Sequence, residues 1–241
     1  VEATANFMAL QPVDPALRRG VALVEVSNRG GKATLSYFNR ARGSRDPTHE
    51  THFGDGLLMR EGFTIIWVGW QWDVPERPGQ LRLDAPIARD AEGPIEGLVR
   101  ADWVVERPPD TLALGHRGHI AYAPSSPLDS RNTLTVRDGR LEARRVVPRE
   151  TWGFSDGGGA ALEAGATHIQ LEGGFEVGKI YELVYVAQDP RVVGVGLAAV
   201  RDIIAYAKHD PSICSAVLDR LGGEPDWTIS AALPVPGIQR R

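Results

Sequence analysis

Val21-Ala22-Leu23-Val24-Glu25-Val26 and Phe63-Thr64-Ile65-Ile66-Trp67-Val68-Gly69-Trp70 are the two stretches that decide the reading of the fold. Each is short, nearly continuous in apolar residues and rich in β-branched side chains. Such runs fit strands buried on both faces, as in a parallel sheet. The first ends in Ser27-Asn28-Arg29-Gly30-Gly31, a turn signal. Between them, Gly54-Asp55-Gly56-Leu57-Leu58-Met59-Arg60-Glu61-Gly62 reads as a short helix, with Asp55 at its start and Gly62 closing it. Strand, loop, helix, strand within about fifty residues predicts a right-handed βαβ unit. Thr34 to Phe38 is expected to be extended.

The rhythm changes after Asp73. From 75 to 180 prolines and glycines recur, and short alternating pieces at 97–105, 133–136 and 141–147 read as antiparallel strands, with Asp138-Gly139 as a hairpin turn. The α/β pattern returns with a strand over 181–187 and a helix from Asp189-Pro190 to about Lys208. Val193, Leu197, Val200, Ile204 and Ala207 are its expected apolar stripe. The expectation is an α/β protein with a mostly parallel sheet built from 1–74 and 181–241, carrying a β-rich insertion over 75–180.

The chain has 241 residues, 42% hydrophobic and 24% charged, enough for a packed core. A net charge of -4 gives no electrostatic footprint for nucleic acid. No apolar run reaches the roughly 18 residues of a membrane span. The one cysteine, Cys214, excludes an internal disulfide framework and reads as a small buried hydrophobe. Only Lys32, Lys179 and Lys208 are lysines, a bias taken as one of coding. No phosphate-binding loop or dinucleotide fingerprint is present, so no cofactor is expected. The compartment is not assigned.

Gly153-Phe154-Ser155-Asp156-Gly157 matches G-x-S-x-G. A nucleophile elbow needs a buried strand before it and a helix after it. Pro148 to Trp152 and Gly158-Gly159-Ala160 provide neither, so the stretch reads as a glycine-rich loop. His49 with His52 and His116 with His119 raise a zinc reading; solvated loop histidines are the plainer one, and no metal is expected. Asn28, Arg29 and Gly30 stand where α/β-hydrolases place backbone N–H groups of an oxyanion hole, and a simple tight turn is the alternative. Trp70, Gln71, Trp72 and Asp73 end the second strand, where ligands bind in open α/β sheets, and are candidates for a substrate pocket.

Several runs together resemble a family of bacterial proteins identified mainly as α/β-hydrolase domain-containing proteins. They are Asn28 to Lys32, Gly54 to Phe63, Trp67 to Asp73, Gly174 to Tyr185, Asp189 to Gly194 and Ala198 to Asp202. The resemblance covers about residues 8 to 241 and is most specific from Gly174 to Asp202. It implies a serine hydrolase acting on carboxylic esters, of which this chain is the N-terminal half. The family's G-x-S-Q-S-G elbow, acid and histidine follow the position of Arg241. The implied partner is therefore a C-terminal segment or chain of the same hydrolase, separated near Arg240-Arg241 by cleavage or by a gap. The competing reading is a non-catalytic β-rich protein that binds a carbohydrate or other ligand on Trp70, Trp72, Trp103 and Trp152.

Overall fold

The computed structural model describes residues 2–12, 14–42, 46–158, 165–209, 227–230 and 233–235. The strands in chain order begin β1 (Ala3–Ala5), β2 (Phe7–Pro12), β3 (Ala22–Val26), β4 (Thr64–Val68) and β5 (Leu83–Asp84). They continue β6 (Arg89–Asp90), β7 (Gly93–Pro94), β8 (Glu96–Val104), β9 (Thr111–Ala113), β10 (Thr133–Arg137) and β11 (Arg145–Val146). The last are β12 (Trp152–Ser155), β13 (His168–Leu171), β14 (Ile180–Gln188), β15 (Trp227–Ser230) and β16 (Leu233–Val235). The α-helices are α1 (Thr34–Phe38), α2 (Leu57–Arg60) and α3 (Val195–His209). The chain divides into one unit of 1–86 with 192–241 and a second of 87–191.

The mostly parallel sheet expected from the sequence is not what forms. Among the described residues β3 and β4 are the one parallel pair, with Ala22 to Val26 opposite Thr64 to Val68. Every other pairing between the named strands is antiparallel. The chain is a set of small, mainly antiparallel sheets with three short helices, not an α/β-hydrolase-like sheet. The physical reason lies in β4. It is buried on both faces, as its composition predicts, but continuous burial does not fix the direction of the neighbour. On one side it pairs with β3, on the other with antiparallel β2, giving the order β15-β2-β4-β3.

Helices cover both faces of this first-unit sheet. Phe7, Ala9, Ile66 and Val68 pack with Ile203 of α3. Met8, Leu10, Ile65 and Trp67 pack with Leu35 of α1 and with Leu58 and Met59 of α2. Thr34 to Phe38 is thus a helix and not an extended segment, and Glu25 explains it. Its carboxylate accepts hydrogen bonds from Ala33 N at 2.9 Å, Thr34 N at 2.7 Å and Thr34 Oγ1 at 2.5 Å. It also accepts Trp67 Nε1 at 2.7 Å. A carboxylate on the first N–H groups of a helix satisfies donors that the helix itself leaves open.

α3 begins five residues later than the Asp189-Pro190 signal suggests. β14 runs on to Gln188, and Asp189 turns out of it with φ 57. The buried stripe is Val195, Ala199 and Ile203, while Val193 and Leu197 are exposed. Gly196 sets the approach of the helix: a Cβ there would lie 2.2 Å from the Trp70 carbonyl oxygen.

In the second unit β11-β10-β14-β8 form one sheet and β12-β13-β9 another. Tyr181, Leu183 and Tyr185 of β14 point into a core with Leu134, Phe154, Ile169 and Phe175. Tyr185 Oη donates to the Tyr122 carbonyl at 2.8 Å, and burial pushes its phenol up to about 12.

Candidate functional site

Parallel pairing brings the C-terminal ends of β3 and β4 side by side. Ser27 N donates to Val68 O at 3.0 Å, and Trp70 Nε1 donates back to Ser27 O at 3.0 Å. These bonds hold the Asn28-Arg29-Gly30 turn against the Trp70 to Asp73 segment. Asn28–Gly30 is a single 3-10 turn. Inside it Arg29 adopts φ 54, ψ 35, a left-handed conformation that costs a non-glycine residue roughly 1–2 kcal/mol. Such strain collects at functional sites. The Ser27 hydroxyl beside it is buried with no hydrogen-bond partner among the described residues.

The decisive contact is between the two groups singled out from the sequence. Arg29 N donates to Gln71 Oε1 at 2.7 Å. Gly30 follows with φ 69, and a Cβ there would fall 2.5 Å from Leu81 O. Gly30 O in turn accepts Leu81 N at 3.0 Å. The turn is therefore clamped from two sides, and its one preorganised donor holds an uncharged carbonyl oxygen. Chemically, this main-chain N–H is placed to hold a carbonyl oxygen, here that of Gln71.

No family model, curated protein or solved structure matches the chain.

The remaining sequence candidates separate. Trp70, Gln71, Trp72 and Asp73 are all partly buried in the first unit. Trp72 packs against the cluster of Ala3, Leu83, Val195 and Ala199. Trp152 is buried in the second unit's core, and Trp103 packs partly buried against it. Trp103 Nε1 donates to Ala113 O at 2.9 Å, and the Trp152 ring is covered by the Arg149 guanidinium at 4.2 Å.

Ser155 ends β12 and is wholly buried, opposite His168 of β13. Its hydroxyl accepts Gly157 N at 3.4 Å, while His168 Nδ1 bonds to Thr167 Oγ1. Gly153 to Ser155 thus form a strand end and not the glycine-rich loop expected. His49 and His52 meet edge to face at 5.7 Å. No group of three or more His, Cys, Asp or Glu residues arranged to hold a metal occurs among the described residues. No helix of the described residues is long and apolar enough to cross a membrane. Cys214 and Arg240-Arg241 lie outside the described residues.

Two residues of the first unit escape the sequence reading. Lys32 is a buried cation, its side chain 2% exposed, paired with Asp46 Oδ1 at 2.9 Å and donating to Gly79 O. Gln80 has a buried carboxamide oxygen with no hydrogen-bond partner among the described residues. The one available signal was the rarity of lysine in an arginine-rich chain, read as coding bias.

Proposed function

We propose that this chain supplies the oxyanion-binding turn of a carboxylic ester hydrolase. The reactive serine, its histidine and its acid would come from a C-terminal segment or chain of the same hydrolase. The observation that carries the reading is the Arg29 main-chain N–H, fixed in a strained turn at the end of β3 and holding an oxygen at 2.7 Å. Oxyanion donors act at 2.7–3.1 Å from the developing charge, and preorganisation is what gives them their effect.

In the reaction, the serine oxygen attacks the ester carbonyl carbon while histidine takes the hydroxyl proton. The carbonyl π electrons move to oxygen, and the alkoxide leaves with a proton from the same histidine. Water then attacks the acyl-enzyme by the same route and releases a carboxylic acid. Arg29 N–H would turn from Gln71 to the oxyanion in each tetrahedral intermediate. Loss of such a donor costs about 2.7–4 kcal/mol of barrier in a comparable hydrolase. The Gln71 side chain must swing aside, which replaces one neutral acceptor by a charged one.

The competing carbohydrate-binding reading keeps Trp70, Trp72 and Trp103 as partly exposed rings, while Trp152 is buried. Labelling with a fluorophosphonate tests the proposal. Affinity purification of the chain from its own cells should bring down a labelled polypeptide continuous with it or bound to it. No label and no ester hydrolysis in that material would reject the reading.

A further inference from the structure

The first unit contains a cleft of about 570 Å³ walled by Phe7, Met8, Lys32, Gln80, Leu81 and Arg82, among others. That volume is in the range of small-molecule sites, which are mostly apolar with a few placed polar groups. Phe7 and Met8 are 5% exposed and Leu81 8%, so the apolar part is firmly set in the core. The cleft adjoins the Gly30 turn through Leu81, whose N donates to Gly30 O.

Two ion pairs lie on its wall, and Arg77 adds a further cation to the lining. Lys32 Nζ is 2.9 Å from Asp46 Oδ1, and Arg82 Nη1 is 3.4 Å from Glu76 Oε2. An ammonium carries three N–H donors. Lys32 commits one to Asp46 and one to Gly79 O, which leaves the third for an acceptor. Gly79 lies flush on the pair, since a Cβ there would come within 2.7 Å of the Asp46 carboxylate. The buried Gln80 oxygen is the opposite case, an acceptor waiting for a donor. A buried unsatisfied acceptor is costly, so a ligand donor that reaches it is strongly rewarded.

We infer that this cleft binds an uncharged molecule with an apolar body and a hydroxyl-bearing edge. The edge donates to Gln80 Oε1 and accepts from Lys32 Nζ, and the body lies on Phe7, Met8 and Leu81. A carboxylate ligand is disfavoured, because it accepts hydrogen bonds only and has no donor for Gln80 Oε1. The inference goes beyond the hydrolase reading and does not rest on it, because it is read by binding alone.

The test is titration of the chain with three matched probes, followed through the backbone amide signals of Gly79 to Arg82. The probes are 2-(2-naphthyl)ethanol, its methyl ether, which lacks the donor, and 2-naphthylacetate. The alcohol should shift those signals and bind about tenfold more tightly than either analogue, the scale of one hydrogen bond. Gln80→Leu should erase the preference for alcohol over ether while leaving the fold intact. Lys32→Met should weaken the alcohol by about tenfold if it folds; if it does not, Gln80→Leu decides. Carboxylate binding as tight as the alcohol, equal binding of alcohol and ether to the unaltered chain, or no shift at Gly79 to Arg82 would each overturn it.

Discussion

The Gln71 carboxamide oxygen sits 2.7 Å from the main-chain nitrogen of Arg29, across the ends of two parallel strands. The donor is thus fixed on an oxygen acceptor within the chain. Side-chain changes at Arg29 leave the donor in place. Proline at Gly30 cannot serve as a probe, because φ 69 is closed to it and the turn itself would be lost.

Gln71 is the informative position. Gln71→Glu keeps the shape and places a charged acceptor on Arg29 N–H, where it competes with and repels the oxyanion. In the hydrolase proposed above, kcat for 4-nitrophenyl butyrate should fall by about 10²-fold or more, with far-UV circular dichroism unchanged. An unaltered kcat would detach Arg29 from the chemistry.

Glu25 joins two elements through one carboxylate, the start of α1 and the indole of Trp67. Glu25→Ala should destabilise the first unit by about 2–4 kcal/mol, since it leaves several buried donors without an acceptor. Urea denaturation gives the stability, and Trp67 emission should shift to the red in the folded variant. A stability within about 0.5 kcal/mol of the parent would contradict the assignment.

Gly196 has no room for a side chain. Gly196→Ala places a methyl group against the Trp70 carbonyl, so α3 must move outward from the sheet. The helical propensity gain of about 1 kcal/mol would be outweighed, giving a net loss of about 1–3 kcal/mol in thermal or urea unfolding. Gly194→Ala, where nothing lies within 4 Å, is the matched control and should not destabilise.

Glu182 responds to acid. The Arg144 hydrogen bond, with Arg100 close by, holds its carboxyl below the ordinary value of 4.5. Its contribution is therefore fully present above that value and is lost as pH falls through the lower folded one. Urea midpoints from pH 6 to 2 should fall less steeply for Glu182→Gln than for the parent. Parallel slopes would remove Glu182 from the acid response.

Particular residues show how far the sequence could be read. The apolar run of β4 announced a strand buried on both faces, and the tract from Gly97 to Val105 announced an antiparallel one. The direction of β2 against β4 was invisible, because helices on both faces bury a strand equally well whichever way its neighbour runs. Thr34 to Phe38 misled because its helix is organised by Glu25, a residue in another element. Asp189-Pro190 misled because Pro190 and Arg191 pair back onto Ala88 and Ile87 before α3 begins. At the site, Asn28 to Gly30 and Trp70 to Asp73 were both legible as strand ends, but the Arg29–Gln71 bond was not. Lys32 and Gln80 were missed because burial of a charge and of an orphan acceptor depends on long-range packing of the 76–82 segment.

The account turns on whether Arg29 N–H receives the developing oxyanion. The proposed hydrolase should be labelled with ¹⁵N and treated with a trifluoromethyl ketone, which forms a stable tetrahedral adduct with an active serine. The Arg29 amide proton signal should move strongly downfield as the adduct forms, reporting transfer from the Gln71 oxygen to a charged one. Complete inhibition with an unmoved Arg29 signal would contradict the account.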